Sequence, residues 1–80
     1  MQAYDIQRII EAGLPGCQAL VQGEDGTHFE ATVVYAGFAG KPPLARHRLV
    51  NATLGDRFAS GEIHALSLRT FTPAEWEAQH

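Results

Sequence analysis

The chain has one cysteine, Cys17, and only six basic residues against nine acidic ones among its 80 residues. A lone cysteine cannot form a disulfide within the chain, so we expect a reducing, cytoplasmic setting. The net charge of −3 argues against a protein held mainly by DNA phosphates, because such binding needs a basic surface that displaces counterions. No signal-peptide pattern and no bilayer-spanning apolar run of roughly 20 residues is present, so we expect no membrane association.

Motifs typical of enzymes are also missing from the sequence. It contains no nucleophile elbow, no glycine-rich phosphate loop ending in lysine, and no pair of carboxylates in an evident cleft. We therefore predict that the chain is not an enzyme. Its composition, 45% hydrophobic and 19% charged, is that of a globular protein, and its length suits a single domain over residues 1–80.

The hydrophobic periodicity of the first half predicts a helix followed by a hairpin. Residues 3–14 are amphipathic, which predicts a helix. Its apolar face consists of Ile6, Ile9, Ile10 and Leu14. Residues 17–22 and 28–35 read as two strands joined by a tight turn over residues 23–26, hence antiparallel.

The second half predicts a helical segment, a strand and a short final helix. Residues 43–60 have a helical pattern that Gly55 splits into two short helices, because glycine destabilises a helix interior. The expected buried face consists of Leu44, Val50, Leu54 and Phe58, with His47 on the same side and Arg48 roughly opposite. Residues 63–70 form the third predicted strand.

The last helix has a well-defined start. Thr72 is the predicted N-cap and Glu75 the N3 residue of a capping box, with Pro73 at the first helical position. Phe71 and Trp76 are spaced to form the accompanying hydrophobic staple. The Glu75 carboxylate is therefore assigned to capping.

The order of these elements predicts an α+β fold. Two helices between the second and third strands form a crossover, so those strands should run parallel. The result is a three-stranded mixed sheet whose apolar face is covered by helices. Parallel pairing also brings His64 close to His28 and to the turn between the first two strands. Two adjacent imidazoles can bind iron or zinc, although a lone strand histidine more often only hydrogen-bonds a neighbour.

Three strings in the chain resemble the BolA family of small partner proteins of monothiol glutaredoxins. They are GKPPLARHRLVNATL at residues 40–54, IHALSL at residues 63–68 and TPAEW at residues 72–76. The similarity extends from about Val21 to Trp76, with the strings in the family's order and spacing. It implies a class II KH-like fold, αββααβα with the final helix included.

The resemblance also implies a metal-related function. In BolA-like proteins the histidine of the I-H-A-L motif is a ligand of a 2Fe–2S cluster shared with a CGFS-type monothiol glutaredoxin and its glutathione. His64 occupies that position, and no cluster is expected on the isolated chain, which should be a monomer or weak homodimer. The family's second ligand usually lies in a longer loop between the first two strands. Here that loop lacks histidine and cysteine, so His28 either substitutes or points into solvent.

A basic segment carries the alternative function. Lys41, Arg46, His47 and Arg48 lie on or beside the predicted helix pair, which could act like a helix-turn-helix. BolA-like proteins are also described as transcription regulators, so weak DNA binding is one interpretation. Docking of an acidic protein partner is the other. His47 could also be a histidine at the edge of the core, Cys17 is expected to be buried, and the terminal His80 carries no prediction.

Overall fold

The computed structural model describes residues 1–79, so His80 lies outside the described part. The elements are, in order, α1 (Ala3–Gly13), β1 (Gln18–Gln22), β2 (His28–Val34), a short 3₁₀ turn (Ala36–Phe38), α2 (Pro43–Thr53), β3 (Ala65–Phe71) and α3 (Pro73–Ala78). The three predicted strands are all present, and the predicted α+β class is confirmed.

The sheet has the order β1-β2-β3. β1 pairs antiparallel with β2, and β2 pairs parallel with β3 through the α2 crossover. In the parallel pair, His28 lies opposite Ala65 and Val34 lies opposite Phe71. The predicted mixed sheet is therefore confirmed, and the first residues of β2 and β3 lie at one end of it.

The core lies between one face of the sheet and the first two helices. Alternate residues of β2 point toward it, and Phe29, Ala31 and Val33 are at most 3% exposed. The helices contribute Ile6, Ile10 and Val50, and Leu54 follows directly after α2; all four are fully buried. Burying side chains of this size contributes roughly 1.5–3 kcal/mol each to the stability of the fold.

The predicted second helix after Gly55 is wrong. α2 ends at Thr53, and residues 54–61 form successive turns. Gly55 has a φ of +60°, the left-handed conformation that ends helices and that glycine adopts without steric cost. Gly55, expected to divide the segment into two helices, instead follows the end of a single helix.

Two of the residues predicted for the buried face of this segment are exposed. Leu44 is 62% exposed because the first turn of α2 extends beyond the core, where residues 41–44 are all exposed. Phe58 is 37% exposed because it lies in the turns and not on a continuing helix. Val50 and Leu54 are buried as predicted.

α3 packs at the far end of the sheet, beyond β3. The Thr72 hydroxyl accepts the Glu75 N–H at 3.2 Å, and the Glu75 carboxylate accepts the Thr72 N–H at 2.8 Å. The Phe71 and Trp76 rings lie 5.3 Å apart. Both the capping box and the aromatic staple are therefore confirmed.

Replacing Thr72 by alanine should lower the free energy of unfolding by about 1 kcal/mol, because the Glu75 N–H loses its acceptor. Urea denaturation of the wild type and the variant measures the difference. Thr72→Ser is the matched control, since it keeps the hydroxyl and should retain most of the stability. Equal midpoints for wild type and Thr72→Ala would show that α3 does not depend on its cap.

Candidate metal and partner site

Two exposed histidines meet at the end of the sheet where β2 and β3 begin. Their rings lie 5.9 Å apart between centroids and are mutually perpendicular. His64 comes just before β3, and its N–H donates to the Thr27 carbonyl at 2.9 Å. The next N–H, that of Ala65, reaches the same carbonyl at 3.2 Å. The predicted proximity of His28 and His64 is confirmed, although the strand starts two residues later than predicted.

The turn before β2 fixes the orientation of His28. Oδ1 of Asp25 accepts the N–H groups of Thr27 at 2.9 Å and His28 at 2.8 Å. Oδ2 of Asp25 lies 2.6 Å from Nδ1 of His28. The two backbone N–H groups, with the His28 ring, hold the pKa of Asp25 well below its usual range.

Gly23 allows this turn to lie close to the start of β2. A Cβ at Gly23 would lie 2.4 Å from the Phe29 ring and 2.7 Å from the His28 carbonyl oxygen. Neither the buried ring nor the backbone oxygen can move away easily. The site therefore depends on a glycine that brings the loop against the base of β2.

Asp25 is the site residue that sequence reasoning missed. The pair Glu24 and Asp25 reads as a solvated turn, and both residues are indeed exposed. The available signal is the Asp-x-x-His spacing from Asp25 to His28. Aspartate at the start of a turn commonly accepts backbone N–H groups two or three residues later, which brings its second oxygen near that residue's side chain.

The two histidines form only part of a metal site. Within residues 1–79, no group of three or more histidine, cysteine, aspartate or glutamate residues could hold a metal ion. Cys17 is buried at the opposite end of the sheet, and burial raises the pKa of its thiol. The structure thus offers two exposed imidazoles at this end of the sheet, and histidine nitrogen is a ligand suited to iron and zinc.

Arg46, predicted as a binding residue, is held by contacts within the chain. Its guanidinium makes a two-point contact with Glu75 at 2.6 and 3.2 Å, and its Nε donates to the Lys41 carbonyl at 2.7 Å. It also lies 5.7 Å from the centroid of the Phe38 ring. Its side chain is only 11% exposed, so Arg46 connects the start of α2 to the start of α3.

The other predicted binding residues lie along α2 and just before it. Lys41 and Arg48 are exposed, while His47 is half-buried. No second helix follows α2 before β3, so the helix pair considered for DNA binding is not formed. The accessible basic surface near α2 is therefore smaller than the sequence predicted.

Residues 12–75 match the family model described as BolA-like protein. The chain belongs to the BolA-like family. A solved structure of a BolA homologue from Coxiella burnetii is 46% identical and superimposes with a TM-score of 0.86, covering 96% of this chain and 97% of the other. The family resemblance seen in the sequence is thus confirmed, and the fold with it.

Curated relatives are similar over part of their length. The chain is 55% identical over 51 residues to the Vibrio cholerae DNA-binding transcriptional regulator BolA, which is 64% of this chain and 47% of that protein. It is 45% identical over 62 residues to bovine BolA-like protein 1, or 78% of this chain and 44% of that protein. The chain therefore spans about half the length of these relatives.

Across residues 1–79, no helix is long and apolar enough to cross a membrane.

The Arg46–Glu75 contact predicts a pH-dependent contribution to stability. Hydrogen bonds from Arg46 and from the Thr72 N–H lower the pKa of Glu75 from 4.5 to about 2. A lowered folded-state pKa stabilises the fold above the unfolded value, and this stabilisation is lost as the pH falls toward the folded value. Wild type should therefore be more stable than Glu75→Gln at neutral pH, with the difference shrinking between pH 4.5 and about 2.

Urea titrations of both proteins across this pH range measure the effect. Glutamine keeps an oxygen for the capping box but loses the charge and one of the two acceptors that face Arg46, so the comparison reports on the whole Arg46–Glu75 contact. A difference that stays constant with pH would show that the carboxylate charge does not contribute.

Proposed function

We propose that this chain is a non-enzymatic, cytoplasmic adaptor that docks a monothiol glutaredoxin of the CGFS type and shares a 2Fe–2S cluster with it. The single observation that carries the proposal is the pair of exposed imidazoles, His28 and His64, side by side at one end of the sheet. They form an incomplete ligand set, which suits a protein that needs a partner to complete it. Family membership and the I-H-A-L string at His64 support the same function.

His64 is the principal ligand in this proposal. Its backbone is fixed by the bond to the Thr27 carbonyl, while its ring is exposed to an approaching partner. The glutaredoxin would supply its cysteine and a bound glutathione, as the family resemblance implies. Imidazole ligation in place of thiolate leaves a 2Fe–2S cluster less negative and raises its reduction potential.

Docking would also use the basic surface along α2, whose start lies beside α3 at the other end of the sheet from the histidine pair. Lys41 and Arg48 are exposed on or next to α2, with His47 half-buried between them along the chain. Exposed charges of this kind mainly increase the rate of encounter with an acidic partner surface. Arg46 contributes indirectly, because its contacts hold this end of α2 in place.

Replacing His64 by alanine should remove the spectral change that occurs when the wild type meets cluster-loaded glutaredoxin. The fold should persist, since an exposed residue before β3 adds little to the core. Visible absorption and circular dichroism of the mixture measure cluster sharing. Size-exclusion chromatography with cluster-free glutaredoxin should still detect docking, which does not require the imidazole.

Arg8→Ala is the control, because it removes an exposed side chain on α1, outside both the histidine pair and the basic surface, and should leave the spectrum unchanged. The proposed function is wrong if His64→Ala gives the same mixed complex and the same spectrum as the wild type. His28→Ala should weaken the change if His28 supplies the second ligand.

A second candidate function is DNA-binding regulation. The observation that favours it is the naming of the Vibrio relative as a DNA-binding transcriptional regulator, together with the exposed Arg48 and Lys41. Three observations favour the adaptor function instead: the net charge of −3, the intramolecular contacts of Arg46, and the absence of a helix between α2 and β3.

For nucleic acid, we expect at most weak binding that disappears at moderate salt, because few cations are available to displace counterions. Fluorescence anisotropy with duplex DNA over a salt series measures it, with Arg48→Ala compared against Arg8→Ala, an exposed arginine on α1. Sequence-specific binding tighter than ~10⁻⁸ M at physiological salt, lost only in Arg48→Ala, would make the regulator function the better one.

A further inference from the structure

The turn between β1 and β2 places a carboxylate against the ring of His28. The Asp25 carboxylate uses one oxygen for two backbone N–H groups, which fixes its plane. The other oxygen then faces Nδ1 of His28 at 2.6 Å. The carboxylate thus holds the ring from the loop side, at the same sheet end as His64.

This contact determines which ring nitrogen carries the proton. An ionised carboxylate can only accept hydrogen bonds, so Nδ1 of His28 must be the donor. The Thr27 hydroxyl, 3.1 Å from the same nitrogen, can accept from it as well. In the neutral ring, the lone pair is then on Nε2, at the outer edge of the imidazole.

We propose that Asp25 is a positioning residue that fixes the Nδ1–H tautomer of His28 and so presents Nε2 as the second cluster ligand beside His64. The inference rests on the proposed function and deepens it. A carboxylate bonded to the second nitrogen of a ligating histidine fixes ring orientation and raises ligand basicity, and its loss typically weakens metal binding 10- to 100-fold.

Asp25→Asn provides a sharp test because it keeps the turn and inverts the hydrogen bond. The asparagine oxygen can still accept the N–H groups of Thr27 and His28. Its amide nitrogen then faces Nδ1 of His28 as a donor, so Nδ1 becomes the acceptor and the proton moves to Nε2. The ligand atom is thereby blocked without removing the histidine. Glu24→Gln is the matched control, as it removes the adjacent exposed charge.

The first measurement uses the isolated chain without metal. Long-range ¹H–¹⁵N correlation spectra in alkaline buffer report which nitrogen of the neutral His28 ring is protonated. We expect Nδ1–H in the wild type and Glu24→Gln, and Nε2–H in Asp25→Asn. Backbone amide spectra verify that each variant is folded. A wild-type ring protonated at Nε2, or an unchanged tautomer in Asp25→Asn, would overturn the inference.

The second measurement titrates each protein with cluster-loaded glutaredoxin and follows the visible spectrum. Asp25→Asn and His28→Ala should each weaken cluster sharing about 10- to 100-fold, and Glu24→Gln should leave it unchanged. If His28→Ala weakens sharing while Asp25→Asn behaves like the wild type, the positioning role is refuted and the adaptor function stands. If His64→Ala shares the cluster like the wild type, the adaptor function itself is refuted, and the role proposed for Asp25 with it.

Discussion

The parallel pairing of β2 with β3 is the constraint on which the rest of the structure depends. It places His28 opposite Ala65, so that the residue just before β3 lies beside the first residue of β2. The crossover through α2 connects these two strands, and Val50 in α2 and Leu54 just after it complete the core. The site is thus a product of strand register, because a one-residue slip would send His28 to the opposite face.

The fold was largely predictable because its signals are local and repeated. The alternation in β2, the amphipathic pattern of α1 and the Thr72 capping box each specify one element, and their order specifies a parallel crossover. The prediction of a second helix after Gly55 failed because glycine is compatible with two different local structures. Gly55 can interrupt a helix or end it, and the sequence alone does not show that the turns after it leave Phe58 exposed.

The candidate site was predictable in position but not in detail. His64 followed from the family motif, and its closeness to His28 followed from strand direction. The roles of Asp25 and Arg46 did not, because each depends on a side-chain contact. Arg46 meets Glu75 across two helix starts that are far apart in sequence, so no spacing rule reveals the pair. Arg46, which the sequence assigns to a binding surface, therefore has a structural role in holding α2 against α3.

The pairing that builds the site also links it to folding. His28 and His64 are far apart along the chain and come together only when β2 and β3 pair. An unfolded chain therefore presents no pre-assembled pair of imidazoles, and a partner that binds the pair binds only the native state. Such a partner raises the apparent stability by mass action, about 2.7 kcal/mol at 100 times its dissociation constant. The melting temperature of this small domain would then depend on the concentration of any partner that binds the pair.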